Sequence, residues 1–235
     1  MSEVLFIPDV HGRPFWREAI DKVDSCEQIV FLGDYLDPYP IDGIPKMGDL
    51  DELLAIIAFK KAHSDKVTLL FGNHDTHYAF DLLPCSRHQL YRASTFRKCF
   101  EANMGLFTFA KEVMIGGMRC LVTHAGVHRG WYEAHKEDIG DLTADNLNKV
   151  ACKDPSILDE ASTLRGGYCD FGSPIWAHVS EFVGMEPFEG LVQVFGHTRQ
   201  DKGSDPLIGR GYAMIDIQRL VCADELVERG LTSIG

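Results

Sequence analysis

Asp9 and His11, Asp34 and Asp37, Asn73 and His74, and the later His124 and His197 are the residues of this 235-residue chain best suited to hold a metal ion and to move a proton. They fall in five short motifs: Pro8-Asp9-Val10-His11-Gly12, Gly33-Asp34-Tyr35-Leu36-Asp37, Gly72-Asn73-His74-Asp75, Thr123-His124 and Gly196-His197. Each follows a compact, largely apolar run, at 4–7, 29–32, 67–71, 121–122 and 192–195. A buried strand that stops at Asp, Asn or His aims oxygen and imidazole donors into the crevice at the carboxyl edge of a sheet. Five such ends have few uses other than holding metal.

Hydrolysis of a phosphate ester is the chemistry this donor set suits. It needs an attacking oxygen, neutralisation of the phosphoryl charge and a proton for the leaving oxygen. Two metal ions about 3.5–4 Å apart supply the first two, by activating a shared hydroxide and clamping phosphate oxygens. One ligand must bridge them, and Asp34, at the tip of the central strand, is the candidate. Asp9 and His11 then complete one ion, and Asn73, His124 and His197 the other. Two divalent ions offset by two carboxylates and a hydroxide leave a net positive site, which attracts a phosphate dianion even on an acidic protein. His74 directly follows Asn73, and neighbouring residues point their side chains differently. It is therefore expected to face the leaving group as general acid, with Asp37 orienting it and raising its pKa.

Alternating strand and helix must position these groups. The first third reads β-α-β-α-β: strands at 4–7, 29–32 and 67–71, a helix over 14–23, and a second helix capped by Asp49 with Glu52 as capping-box partner. Leu50, Leu53, Leu54 and Ile57 form the buried face of that second helix. Such a unit implies a parallel sheet with right-handed crossovers. Residues 78–103 read as mainly helical without a chemical signature, and 107–113 with 118–123 as a hairpin turning at Gly116-Gly117. The stretch 127–190 is expected to be an insertion facing substrate, within one domain spanning 1–235. Strands resume at 191–195 and 212–217, with 220–223 pairing on the latter.

Composition narrows the partners. With 45% hydrophobic and 25% charged residues the chain has ordinary globular usage. A formal net charge of -12 argues against a surface that tracks a nucleic-acid backbone. No apolar run reaches the ~18–20 residues of a membrane span, and Met1-Ser2-Glu3 does not open a signal peptide. Seven scattered cysteines, odd in number and without a Cys-x-x-Cys pair, favour reduced thiols, so a cytoplasmic location is expected. Cys85, Cys99 and Cys120 read as small core residues, Phe107 and Phe109 as sheet core, and His63, His88 and His135 as solvated surface histidines. His77 and His128 read as packing or surface residues, and His178 is open.

The five blocks, in this order, resemble the calcineurin-like metallophosphoesterase superfamily, whose pattern is Asp-x-His, Gly-Asp, Gly-Asn-His-Glu/Asp, His and Gly-His. Gly33-Asp34-Tyr35-Leu36-Asp37, Thr123-His124-Ala125-Gly126 and Gly196-His197-Thr198 look most like its serine/threonine protein phosphatase branch, especially small bacterial members. The matching blocks run from residue 8 to residue 198. The resemblance implies an α/β fold of two packed mixed β-sheets flanked by helices, a four-layer sandwich. It implies a binuclear centre of two divalent ions, manganese first, with iron, zinc, nickel or cobalt as alternatives. It assigns Asp9, His11, Asp34, Asn73, His124 and His197 as ligands and His74 with Asp37 as the acid pair.

Departures matter as much. Protein phosphatases of this branch carry a phosphate-gripping Arg where Pro38 stands, Glu where Asp75 stands, and Gly-Gly where Ala125-Gly126 stands. Arg199 stands where nuclease and phosphodiesterase branches carry the second His of Gly-His-x-His. Arg165, in Leu164-Arg165-Gly166-Gly167, is a candidate replacement grip, since a guanidinium binds two phosphate oxygens at once. Arg13 and Arg199 adjoin motifs and face either phosphate or a carboxylate of this acidic chain. The functions to weigh are a phosphomonoesterase, including a phosphoserine or phosphothreonine phosphatase; a nucleotide hydrolase of the diadenosine tetraphosphatase type; and a non-catalytic scaffold of the same fold.

Overall fold

Strand β1 (Glu3–Ile7) alternates Val4 and Phe6 on one face with Leu5 and Ile7 on the other, and all four are buried. Strands apolar on both faces need cover on both sides, as in parallel sheets sandwiched between layers. The computed structural model, which describes residues 3–233, supplies that cover. After β1 come β2 (Cys26–Phe31), helix α1 (Gly48–Ala62), β3 (Val67–Leu70), α2 (Asn73–Ala79), α3 (Ala93–Asn103) and β4 (Phe107–Thr108). Then follow β5 (Ala110–Ile115), β6 (Met118–Thr123), α4 (Arg129–Ile139), α5 (Ala144–Lys153) and β7 (Leu191–Phe195). The chain closes with β8 (Leu207–Gly209), β9 (Tyr212–Met214), β10 (Val221–Cys222) and α6 (Ala223–Glu228).

Two five-stranded mixed sheets result, ordered β10-β1-β2-β3-β4 and β5-β6-β7-β9-β8. In the first, β1 to β4 are parallel and β10 runs against β1; in the second, β6, β7 and β9 are parallel between antiparallel edges. Val4, Phe6, Val30, Leu32 and Leu70 of one sheet pack against Val122, Val192, Val194 and Ala213 of the other. The opposite face of the first sheet, with Leu5, Ile29, Phe31 and Leu69, is covered by Trp16 and by Leu53, Ile56 and Ile57 of α1. Phe195 and Tyr212 on the outer face of the second sheet stack beneath Phe182. Because the two sheets bring their parallel strands to one edge, the carboxyl ends of β1, β2, β3, β6 and β7 open into a common crevice.

Several local expectations are corrected. The stretch expected as a helix over 14–23 is a 3-10 turn, Pro14–Ala19. Asp49 does not cap α1: Met47 holds the cap position in the left-handed region (φ 77°), while Asp49 is drawn into a 2.9 Å ion pair with Arg92. Glu52 is likewise committed, accepting from Trp16 Nε1 at 2.7 Å. Leu54 is exposed and Ile56 takes its place on the buried stripe. Strand β10 pairs with β1, not with β9, because the free edge of the first sheet lies within its reach (Leu5 opposite Cys222). The segment expected to be helical throughout 78–103 contains an irregular stretch at 80–92, where Asp81 and Arg87 adopt left-handed φ and Pro84 intervenes. The Gly116-Gly117 hairpin joins β5 and β6 in register, Ile115 opposite Met118. No helix among the described residues is long and apolar enough to cross a membrane.

Candidate metal centre

The loops after the strands are locked to one another before any side chain reaches the crevice. His11 N–H donates to Asp34 O (2.7 Å) and Gly12 N–H to Tyr35 O (2.9 Å), tying the end of β1 to that of β2. The Asp75 carboxylate accepts from the backbone N–H of Asp34, Gly72 and Tyr35 at 2.7, 2.9 and 3.0 Å, tying β2 to β3. His197 N–H donates to Asp9 Oδ1 at 3.0 Å, joining the second sheet to the first. Gly72 leaves room for this closeness, since a Cβ there would collide with Asp34 Oδ1. Gly33 is needed twice over: its φ is 102°, and a Cβ would strike the Gly72 backbone.

His11, Asp34, Asp37 and His197 all adopt left-handed φ, at 46°, 52°, 58° and 66°. Such backbone costs about 1–3 kcal/mol per non-glycine residue and persists where the surroundings over-determine it, often at functional sites. Here it turns each side chain back into the crevice, where all are buried.

Around Asp34 the groups brought together are acceptors. His124 Nδ1 lies 2.7 Å from Leu32 O and His11 Nδ1 2.7 Å from Leu36 O. A ring nitrogen facing a carbonyl must carry the hydrogen, so both Nε2 atoms present lone pairs. The Nε2 of His11 stands 3.5 Å from Asp34 Oδ2, and that of His124 stands 3.6 Å from Asp34 Oδ1. His124 Nε2 also faces Asn73 Oδ1 and His197 Nδ1, each at 3.0 Å, while His197 Nε2 is buried without a partner. The Asn73 amide is oriented by Cys85, whose Sγ accepts from Nδ2 at 2.9 Å, leaving the amide oxygen toward the imidazoles. His124 Nε2 and Asn73 Oδ1 are acceptors that face each other with no hydrogen between them, an arrangement a cation satisfies, so the residues present fit divalent metal. Burial pushes the His11 and His197 pKa values well below the usual range, keeping both rings neutral as metal ligation requires. Asp9 is buried, with one oxygen accepting from the His197 backbone N–H, and burial raises its pKa.

Three residues beyond Asp34, Asp37 has a different surrounding. Its Oδ2 meets His74 Nδ1 at 2.9 Å, and its Oδ1 accepts from Tyr78 Oη at 2.6 Å and Gln89 Nε2 at 3.2 Å. His77 accepts from Cys85 N–H through Nδ1 (3.1 Å), so its Nε2 carries the hydrogen that stands 3.0 Å from Asp37 Oδ2. Burial opposes charge here too, but His74, His77 and Tyr78 outweigh it and keep the carboxyl below its usual range. Asp37, His74 and His77 lie within metal-binding distance of one another, but Asp37 is approached by the donors of Tyr78 and Gln89 as well as by His74. The contacts of this group are thus mostly donor to acceptor, unlike those around Asp34.

His11, Asp34, Asn73, His74 and His197 line a cavity of about 300 Å³, with Tyr39, Arg87, Arg165 and Trp176 completing its wall. Arg165 Nη2 donates to Thr198 Oγ1 (2.9 Å) and His197 O (3.3 Å). Arg199 is not part of the wall: it stacks on Tyr39 at 4.2 Å and lies 3.7 Å from Asp42, which Arg13 contacts at 2.7 Å. Sequence reasoning missed Tyr39, Cys85, Arg87 and Trp176, and it took His88 for a surface residue. That ring packs 4.4 Å from His77 and 4.9 Å from Tyr78, and its Nε2 is buried. His128 and His178 serve as helix caps, accepting from Gly130 N–H and Ser180 N–H.

The model of the calcineurin-like phosphoesterase family matches residues 2–201. The chain belongs to that family, whose members hydrolyse phosphoester bonds with divalent metal. The two-sheet architecture agrees with the family's fold. No curated protein matches the chain. Among solved structures, a hypothetical protein from Pyrococcus horikoshii is 16% identical at TM-score 0.36, over 54% of this chain and 56% of its own length. The chain thus spans little more than half of that relative. An archaeal phosphodiesterase is 12% identical at TM-score 0.32 (91% of this chain, 81% of that one). A protein of unknown function from Aquifex aeolicus is 12% identical at TM-score 0.37 (97% and 100%). Membership rests on the family match alone.

Proposed function

We propose that this protein is a phosphomonoesterase with two divalent ions, manganese first, acting on small phosphate esters or on phosphoserine and phosphothreonine. The observation that carries this reading is the facing acceptor pair of Asn73 Oδ1 and His124 Nε2, with His197 Nδ1 and the acceptors of His11 and Asp34 beside it. Asp34 would be the ligand shared by the ions, with Asp9 and His11 holding one and Asn73, His124 and His197 the other. Such ions supply Lewis acidity to the phosphoryl oxygens and acidify the attacking water. His74, oriented by Asp37, is the general acid: once protonated at Nε2 it gives that proton to the leaving oxygen. Arg165 grips the phosphoryl group from the side of His197, and Arg199 supports substrate from outside the cavity wall.

The segment 127–190 contributes Arg165, Gly166 and Trp176 to that wall, which supports reading it as the substrate-facing insertion of one domain over 1–235. The likeness of the motifs at 33–37, 123–126 and 196–198 supports the serine/threonine phosphatase branch. Free thiols at Cys85, Cys99, Cys120, Cys152, Cys169 and Cys222 support a reducing compartment such as the cytoplasm. The test is a panel of para-nitrophenyl phosphate, a phosphopeptide and diadenosine tetraphosphate, run on metal-stripped protein after restoring each divalent ion. Manganese-stimulated hydrolysis of the first two is expected. Preference for the dinucleotide would replace the monoesterase reading, and inactivity with every ion would leave a scaffold.

A further inference from the structure

We infer that Arg87 is a second phosphate-gripping residue, opposite Arg165 across the cavity, and that Tyr39 is the positioning residue that holds its guanidinium flat. The inference rests on the phosphomonoesterase reading and names a residue that reading does not contain.

Charge singles out the two arginines first. In this acidic chain arginines mostly find a carboxylate, as Arg13 does on Asp42, Arg119 on Glu112 and Arg219 on Glu225. Among the described residues, neither Arg87 nor Arg165 has a carboxylate within ion-pair distance, and both line the same cavity as His74 and His197. A cation left unpaired beside a cavity on a protein of net charge -12 is placed for an anion that arrives from outside.

Hydrogen bonds then fix which part of Arg87 is available. Nε donates to Asp37 O at 2.9 Å, Nη1 to Ser86 Oγ at 3.2 Å, and Nη2 to His74 Nε2 at 3.2 Å. A guanidinium has five N–H groups, so one remains uncommitted on each terminal nitrogen. That pair can span two phosphate oxygens. The anchor is the carbonyl of Asp37, directly before Pro38, so a cation from a different loop reaches a point where the local sequence has none. Arg87 Nη2 covers His74 Nε2, the atom a leaving oxygen must reach, and that nitrogen accepts from it and so carries no proton while the contact lasts. A phosphoryl group drawing the guanidinium toward itself uncovers that nitrogen.

Tyr39 supplies the platform. The Arg87 Cζ lies 3.7 Å from the Tyr39 ring centroid, and the ring is braced by Arg199 at 4.2 Å and by an edge-on contact with His11 at 5.1 Å. Stacking of this kind holds a guanidinium plane while leaving its edge free.

Calorimetric titration of inorganic phosphate into the manganese-loaded protein tests the assignment without relying on turnover. Arg87→Ala should weaken phosphate binding about 10- to 100-fold and raise KM for para-nitrophenyl phosphate in proportion, with metal content by atomic absorption unchanged. Arg87→Lys should recover only part of the affinity, because an ammonium cannot fork. Tyr39→Ala should weaken binding several-fold, and Tyr39→Phe, which keeps the ring, should restore it. If Arg87→Ala does not fold, Arg87→Gln keeps a donor for Asp37 O and should show the same loss. Unchanged phosphate affinity in the Arg87 variants, or loss of metal alongside phosphate, overturns the proposal. Turnover by the wild type with Arg87-independent phosphate binding sinks this inference and spares the phosphatase; Arg87-dependent binding without turnover does the reverse.

Discussion

Asp34 and Asp37 lie three residues apart, both buried, both in left-handed backbone and both ringed by histidines, yet they form opposite kinds of site. Around Asp34 the imidazoles of His11 and His124 spend their N–H groups on the backbone carbonyls of Leu36 and Leu32, so lone pairs converge. Around Asp37 the Nδ1 of His77 accepts from a backbone N–H, which turns a hydrogen toward the carboxylate, and Tyr78 and Gln89 add donors. What separates the two clusters, and with them the proposed metal ligands from the proposed proton donor, is therefore not residue type. It is which ring nitrogen the backbone has already claimed.

The comparison can be broken at either aspartate. Asp34→Asn removes the charge that the acceptors share, and metal binding should fall with activity by about 1000-fold or more, the scale of several kcal/mol of lost charge stabilisation. Metal content by atomic absorption checks this, and a variant that retains full metal would dissolve the distinction. His74→Asn should lower kcat on alkyl phosphates by about 100- to 10,000-fold, the span of general acid catalysis, with metal retained. Loss of metal in that variant would merge the two clusters into one. The smallest effect sharpens the picture: Cys85→Ala frees the Asn73 amide to turn, and metal affinity should drop by about 10- to 100-fold, as for other residues that orient ligands. Competition with a metal-binding dye measures it; unchanged affinity would mean the amide is held by other contacts.

Legibility in the sequence followed locality. The central strands could be read because short runs such as those around Ile29 and Leu69 are almost wholly apolar, the pattern of a strand buried on both faces. The order of donors after those runs was equally readable. What failed lay where distant contacts override local preference: Asp49 suits a helix cap but is claimed by Arg92, and strand β10 crosses to β1 because an open edge was available. Arg87 was hidden for the same reason. The stretch 78–103 read as mainly helical, and nothing in 80–92 tells that its arginine reaches His74.

The succession of apolar β-segments, each ending in an Asp, Asn or His, was settled by the sequence itself, since burial and side-chain type are properties of each short stretch. Whether those donors would meet as lone pairs or as hydrogens was decided only in three dimensions. Carbonyls and N–H groups at the ends of neighbouring strands, up to 92 residues away along the chain, choose the tautomer of each ring, and only the folded sheets bring them within reach.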